Sequence, residues 1–388
     1  MYFSKIEFIL PYIWCVSLGN IKDMQLSIII LNYNVRYFLE LCLKSVSEAI
    51  STLDAEIIVV DNNSSDDSCE MVKQLFPDVN LIENKLNSGF SKGNNIGVSH
   101  AKGKYVCILN PDTVVPEDAF SQLIEFAENQ TNLGIVGCRL IDGTGKYLPE
   151  SKRNIPKPRV AFKKLLGNPN DYYANQLEEH DIGKAPIFVG AFMLLKKTVY
   201  EQINGFDEDY FMYGEDIDLS YKILKAGYDN YYYGKTTVIH FKGESTLKDA
   251  KYAQRFYGAM QIFYKKHFKS NLAFNIVVWL GIKAAYLIRT NPKADNTTSK
   301  HLVLLSNKIP EYLQKKIEKP IELRGDLENV KPNTEIIFDT DMLAFKSIIA
   351  HIDAFSSISN TTFKILIAQS NFVLGSNSSK TRGEVIVC

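Results

Sequence analysis

The sequence predicts a mixed α/β fold: a Rossmann-like, mainly parallel sheet with flanking helices, followed by a small second α/β unit. Three observations predict it. Continuous apolar runs recur at residues 26–31 (LSIIIL), 56–60 (EIIVV) and 105–109 (YVCIL), the pattern of strands buried on both faces. Segments with apolar residues at helical spacing lie between them. Each run ends directly in a polar cluster, and in such sheets ligands sit outside the carboxyl ends of the strands.

Taken in order, residues 26–31 open the sheet, and Phe38, Leu39, Leu41, Cys42, Val46 and Ile50 place a helix across 35–52. Residues 56–60 form a second strand, and the cluster 61–68 (DNNSSDDS) reads as a loop leading into a capped helix start. A third short strand follows at 79–83, then a glycine-rich loop at 87–93 and a short helix at 93–100. The strand at 105–109 ends in the turn Asn110-Pro111-Asp112, and residues 116–129 are a helix with acidic residues in its first turn. Short loops between these elements imply right-handed crossovers. The clusters 32–34, 61–65 and 110–113 should therefore converge on one edge.

Residues 142–184, rich in Gly, Pro, Lys and Asn, read as a loop region with a short helix. A strand at 187–195, a helix at 197–203, a helix at 215–227 closed by Gly227 and a strand at 237–239 follow. Residues 249–268 are helical and carry Lys251, Arg255, Lys265 and Lys266 among aromatics. Beyond Asn291-Pro292-Lys293, strands at 301–305, 335–339 and 363–368 with a helix at 341–355 define the second unit, which has neither a GxGxxG nor a P-loop fingerprint.

The length of 388 residues suits two domains or one with an appendage. We divide the chain into an N-terminal extension (1–24), a principal domain (25–270), an amphipathic or membrane-interface helix with linker (271–295) and the C-terminal unit (296–388). Forty-four basic and 44 acidic side chains cancel, so no global field attracts nucleic acid and any charged-ligand site is local. Six scattered cysteines without a CxxC pair argue against a zinc knuckle or a disulfide scaffold and fit a reducing, cytoplasmic setting. The apolar run 6–18 is short for a membrane span, and an over-extended start ahead of Met24 is an alternative. The run 272–288 sits at the lower bound for a span, and an interfacial helix anchored by Trp279, Lys283 and Arg289 competes with packing on the protein's own core.

Two acidic positions carry the chemistry. Asp112 follows a buried strand and a Pro-bounded turn, which aims a carboxylate at the ligand edge. Mg2+ or Mn2+ takes oxygen ligands and needs only one or two carboxylates when substrate phosphates complete its shell. The competing role for Asp112 is to cap its own turn. Glu215 and Asp216 open a helix behind Tyr210-Phe211-Met212-Tyr213-Gly214; a carboxylate walled by aromatic rings has a raised pKa and suits a general base. Their plainer role is to complement the helix dipole. His240 ends a strand and suits a metal shell as an imidazole ligand. Asp61 suits the ring N–H of uracil or thymine, and residues 87–95 offer backbone N–H groups to a phosphate or ribose. The spacing of Gly89, Gly93 and Gly97 matches neither dinucleotide nor P-loop patterns.

The segments LSIIILNYN, EIIVVDNNSSDDS, NSGFSKGNN, ILNPDT, VGAFMLL, GFDEDYFMYGEDIDLSYKILKAGY and VIHFKGEST together closely resemble the family 2 glycosyltransferases, in particular the rhamnosyltransferase-like branch of bacterial polysaccharide and O-antigen assembly. The resemblance covers residues 25–246. It implies a GT-A fold, a nucleotide-diphosphate sugar donor such as a dTDP- or UDP-sugar, Mg2+ or Mn2+, and inversion at the anomeric carbon. It further implies a glycan or lipid-linked glycan acceptor and a peripheral position at the inner face of the cell membrane. By position, Asp112 matches the metal-binding aspartate of the family's DxD element, whose first acidic position is here Asn110. Asp216 matches the catalytic base, with Glu215 beside it, and His240 matches a late metal-coordinating histidine. Asp61 and Asn63 match nucleoside-contacting positions, and Asn87, Gly89 and Asn95 the loop over the nucleotide; Asn32, Asn34, Phe90 and Asn110 are further expected at the donor site.

Two other classes compete with this resemblance. A catalytically silent nucleotide-sugar-binding scaffold would have no need of both Asp112 and the Glu215-Asp216 pair. A sugar nucleotidyltransferase would show a glycine- and arginine-rich phosphate loop after the first strand, and none follows residues 26–31.

Overall fold

The computed structural model describes residues 24–165, 167–242, 250–268, 299–367, 369–377 and 383–388. The predicted class is observed: α/β, with a large sheet, flanking helices and a second, smaller sheet.

The first sheet comprises β1 (Leu26–Asn32), β2 (Ala55–Asp61), β3 (Asn80–Glu83), β4 (Tyr105–Leu109), β5 (Thr113–Val114), β6 (Leu133–Ile141), β7 (Ile182–Lys184), β8 (Phe192–Lys196) and β9 (Asp229–His240). Its order is β3-β2-β1-β4-β8-β6-β9-β5, with β7 added on β9. The first four positions in that order are parallel and connected through α1 (Arg36–Ile50), α2 (Ser68–Leu75) and α3 (Gly89–His100). Side chains alternate between the two faces, as the period of a strand requires. Ile28, Ile30, Val59 and Cys107 pack with α1 and α4 (Ala119–Glu128), whereas Ile29, Ile58, Val60 and Val106 pack with Val98 of α3. Apolar residues on both faces explain why these strands read as unbroken apolar runs. Beyond β4 the sheet is mixed: β8 runs antiparallel to β4 and β6, while β6 and β9 are parallel.

The remaining helices are α5 (Pro158–Leu165), α6 (Lys197–Gln202), α7 (Glu215–Lys225) and α8 (Ala250–His267). Several boundaries differ from expectation. β6 is a nine-residue, wholly buried strand where the sequence reading placed nothing, because two glycines and Arg139 dilute its apolar run (LGIVGCRLI). The strand expected over 187–195 begins only at Phe192, since Ile187 pairs instead with Arg153. The helix expected over 116–129 begins at Ala119 and has no acidic residue in its first turn. Glu117 turns away from that helix and caps another, as described next.

The second sheet comprises β10 (His301–Leu305), β11 (Glu322–Arg324), β12 (Thr334–Asp339), β13 (Thr362–Leu366), β14 (Phe372–Gly375) and β15 (Glu384–Val387), in the order β11-β10-β12-β13-β14-β15. Two helices, α9 (Glu311–Lys316) and α10 (Phe345–Phe355), flank it. One face forms its own core, with Leu302, Leu304, Leu313, Ile337 and Val373. The other shares a core with the first sheet: Phe338, Ile348, Ile352 and Phe363 pack with Phe38, Leu41, Val114, Ile239 and Phe241. Polar contacts pin the seam. The buried Arg139 guanidinium donates to both carboxylate oxygens of Asp353 at 3.0 Å and to Glu179 at 2.8 Å. The Glu117 carboxylate accepts from the backbone N–H groups of Phe345 and Lys346, at 2.5 and 2.9 Å, where α10 leaves its first donors unpaired. The second unit thus backs β5 and β9, the paired strands beside Asp112 and His240.

The extension 1–23 and the apolar run 272–288 lie outside the described residues. Among the described residues no helix is long and apolar enough to cross a membrane, and Cys42, Cys69, Cys107, Cys138 and Cys388 are free.

Candidate active site

The predicted clusters converge at the carboxyl edge of the parallel strands. Parallel register sets Asn32 beside Asp61, and the Asn32 amide donates to Asp61 Oδ1 at 2.7 Å and to Ser64 Oγ at 3.1 Å. Asp61 Oδ2 accepts the Ser64 N–H at 2.8 Å, so the buried carboxylate organises the turn that follows its own strand. Asn34 joins the same turn by accepting the Ser65 N–H at 2.7 Å. Asn34 and Asn63 hold the left-handed backbone, with φ of 56° and 64°, which asparagine tolerates better than branched residues. Asn63 remains exposed.

Asn62, which the sequence reading passed over between Asp61 and Asn63, is the hub of the next layer. It is buried, donates to Asn87 Oδ1 at 3.3 Å and Gly89 O at 3.0 Å, and accepts from Asn84 and Ser88. Gly89 opens α3 at φ 82°, where a Cβ would stand 2.5 Å from the Phe211 carbonyl oxygen. A side chain at that position would break the hydrogen bond from Phe90 N to Phe211 O, at 2.7 Å. Phe90 therefore ties the glycine-rich loop to the segment that leads into Glu215 and Asp216. Asn95 lies on the same helix but faces protein: its amide contacts Tyr200, Phe206 and Glu208, and both of its polar atoms are committed.

Asp112 and His240 meet across the short β5–β9 pair. Thr113 is in register with His240, Asp112 O accepts from Phe241 N, and His240 Nε2 lies 3.4 Å from Asp112 Oδ1. Asn110, at the position of the missing acidic residue, brings its amide 3.3 Å from the same imidazole nitrogen. His240 Nδ1 is buried and has no hydrogen-bond partner among the described residues. One carboxylate oxygen and one imidazole nitrogen at this separation fit a shared divalent cation that completes its shell with phosphate oxygens and water. Among the described residues no group of three or more His, Cys, Asp or Glu side chains is placed to hold a metal ion.

Tyr213 and Gly214, at φ 72° and 79°, turn the chain sharply into α7, whose first turn bears Glu215, Asp216 and Asp218. Acidic groups there gain from the helix dipole. Asp216 Oδ1 accepts the Ile217 N–H at 2.8 Å, and Oδ2 accepts from Arg153 Nη2 at 2.6 Å. Arg153 is buried and also donates to the Phe188 carbonyl. Burial works to lower the Arg153 pKa, but the Asp216 charge outweighs it and the guanidinium stays firmly protonated. Glu215 behaves differently: burial, reinforced by the neighbouring Asp216 charge, raises its pKa well above the glutamate range, and Glu215 Oε2 has no hydrogen-bond partner. The raised carboxyl expected in this motif is thus Glu215. Asp218 is engaged structurally, accepting from Tyr210 and lying 2.5 Å from His267 Nε2 of α8.

Sequence reasoning missed Arg153. The signal that points to it is local charge: residues 146–164 hold seven Lys or Arg against the single Glu150, within a chain that is neutral overall. Only the fold shows which of the seven reaches Asp216.

Parts of the chain are similar to known proteins. Residues 27–203 match the model of the glycosyl transferase family 2, and residues 182–244 match that of the N-terminal domain of galactosyltransferase. The chain is 27% identical over 244 residues to N-acetylglucosaminyl-diphospho-decaprenol L-rhamnosyltransferase of Mycobacterium tuberculosis, covering 58% of this chain and 78% of the relative. It is 29% identical over 222 residues to a low-salt glycan biosynthesis hexosyltransferase of Haloferax volcanii, covering 55% and 67%. Among solved structures it resembles a mannosyltransferase of Pyrobaculum calidifontis in complex with GDP-Man and Mn2+, with a TM-score of 0.45, 19% identity and coverage of 69% and 76%. The chain carries a glycosyltransferase family 2 domain, and it is a glycosyltransferase.

Proposed function

We propose that this enzyme transfers a sugar, with inversion, from a nucleotide-diphosphate donor to a hydroxyl of a glycan or lipid-linked glycan in cell-surface polysaccharide synthesis. The observation that carries the proposal is the division of labour at the sheet edge: Asp112 and His240 stand 3.4 Å apart on one side, and Asp216 is clamped by Arg153 on the other. Asp112 and His240 would hold Mg2+ or Mn2+, which when bound supplies Lewis-acid neutralisation of the diphosphate leaving group. Asp61, Asn62, Asn87 and Gly89 shape the nucleotide side, with Asn32 and Asn34 holding the turn beneath it.

Asp216 takes the acceptor hydroxyl proton, and Arg153, donating to Oδ2, fixes the orientation of the carboxylate. Asparagine at 216 retains the shape and loses the proton acceptor. Asp216→Asn should therefore abolish transfer while binding UDP or dTDP with near wild-type affinity; turnover retained by this variant would sink the assignment. A second reading makes Glu215 the base, because burial and the neighbouring Asp216 charge raise its pKa well above the ordinary glutamate value. Glu215→Gln separates the two.

The relatives' rhamnosyl and decaprenyl-diphosphate substrates support dTDP-rhamnose as the first donor to try and a diphosphate-linked acceptor at the inner membrane face. Slow hydrolysis across a panel of UDP-, dTDP- and GDP-sugars with Mn2+ identifies the donor. No hydrolysis of any donor would favour the silent scaffold.

A further inference from the structure

Lys164 of α5 is half-buried, with its ammonium 3.3 Å from the centroid of the buried Tyr172 ring. Its basic neighbours are each matched by a carboxylate: Arg153 by Asp216, Lys163 by Asp171, and Lys242 by Glu150. Among the described residues no carboxylate lies within ion-pair distance of Lys164. Burial, with the nearby positive charges of Arg153 and Lys242, lowers its pKa to about 8, and Glu150 only partly opposes this. An ammonium held away from water without a counter-ion is unfavourable unless an anion arrives to match it.

The position of Lys164 says which anion. Arg153 holds Asp216, and Lys242 follows His240 by two residues, so Lys164 lies within electrostatic reach of both sides of the reaction centre. Negative charge develops there on a departing diphosphate, and preorganised cations in a water-poor site stabilise it most. The aromatic face beneath the ammonium keeps the cation in place while leaving its N–H donors free. We propose that Lys164 is an anion-binding residue of the active site whose ligand is a diphosphate. This rests on the transferase reading above. The diphosphate comes from one of two sources, the donor's nucleotide or a diphosphate-linked acceptor.

The test is calorimetric titration of the full chain with inorganic pyrophosphate in EDTA, so that no metal contributes. Lys164→Met should lose at least about tenfold in pyrophosphate affinity, as expected for a charge-assisted contact. Lys163→Met, one residue away and already paired with Asp171, should bind as the wild type does. Thermal unfolding of Lys164→Met, with Lys164→Gln as a second variant, verifies the fold. Saturating UDP beforehand, in the same EDTA buffer, will block the pyrophosphate isotherm if the donor diphosphate uses Lys164, and will spare it if the acceptor's does. Equal affinity in wild type and Lys164→Met, or no pyrophosphate binding by the wild type, overturns the proposal. Lys164-dependent pyrophosphate binding without any sugar transfer would instead sink the transferase reading and leave this site standing.

Discussion

Arg153 Nη2 lies 2.6 Å from Asp216 Oδ2, with both side chains buried and 63 residues between them in the chain. A loop that sequence patterning treats as featureless therefore positions the residue assigned as base. Arg153→Met should lower kcat by roughly a hundredfold, the usual cost of misplacing a reacting group by about 1 Å, and leave donor KM within a few-fold. Arg153→Lys should recover only part, because the shorter lysine stem must bring its single nitrogen to the point where Nη2 donates to both Asp216 and the Phe188 carbonyl. Steady-state kinetics with separate kcat and KM decide it; a pure KM effect would assign Arg153 to substrate binding instead.

Glu215 makes a pH prediction. Its folded pKa is raised by burial and by Asp216, above an ordinary value of 4.5. The unfolded chain therefore releases this proton first, and stability falls as pH rises from about 4.5 toward the folded pKa. Glu215→Gln removes that proton and should flatten this part of the stability–pH curve. Denaturant unfolding of both proteins from pH 4.5 to 8 reads the difference. Transfer should survive in this variant if Asp216 is the base.

For the metal site proposed above, His240→Ala would remove one proposed ligand and Asp112→Asn would weaken the other. Each should reduce Mn2+ affinity about tenfold or more, read by electron paramagnetic resonance of bound Mn2+ with UDP present. Asn110→Asp, which restores a carboxylate 3.3 Å from the imidazole, should tighten Mn2+ binding. Unchanged Mn2+ binding in both losses would move the cation away from this edge.

Asn95→Ala should act on stability rather than on the donor. Its amide bonds Tyr200, Phe206 and Glu208, so truncation takes the acceptor from the Tyr200 hydroxyl and leaves the Phe206 N–H only the longer bond to that hydroxyl, costing about 1–3 kcal/mol. A donor KM that rises sharply at constant stability would return Asn95 to the nucleotide loop.

At the seam, Asp353→Ala removes one of the two carboxylates that face the buried Arg139, and Glu117→Ala uncaps α10. Losses of about 1–2 kcal/mol are expected for each, the former limited by partial exposure of Asp353. Because Val114, Ile239 and Phe241 share one core with Phe338 and Ile352, both sheets should melt in a single transition. Two separated transitions would show independent units.

Much of this protein is written locally. Strands β1, β2 and β4, buried on both faces, appear as apolar runs, and the polar residues ending them, Asn32, Asp61 and Asn110, reach one edge because parallel strands share their carboxyl ends. Asp112 and the Glu215-Asp216 pair were visible for the same reason: turn and helix-start positions mark themselves in sequence. Long-range geometry decided the rest. β6 was hidden because a buried arginine and two glycines interrupt its pattern, tolerable only once Asp353 and Glu179 arrive from elsewhere. Asn95 sits in a motif yet turns toward Tyr200, while Asn62, between two residues read as contacts, became the hub. Arg153 and Lys164 look alike in a basic loop; tertiary packing gives one a carboxylate and leaves the other without one. Local periodicity encodes which face a residue takes, but the partner it meets there depends on segments far away in the chain.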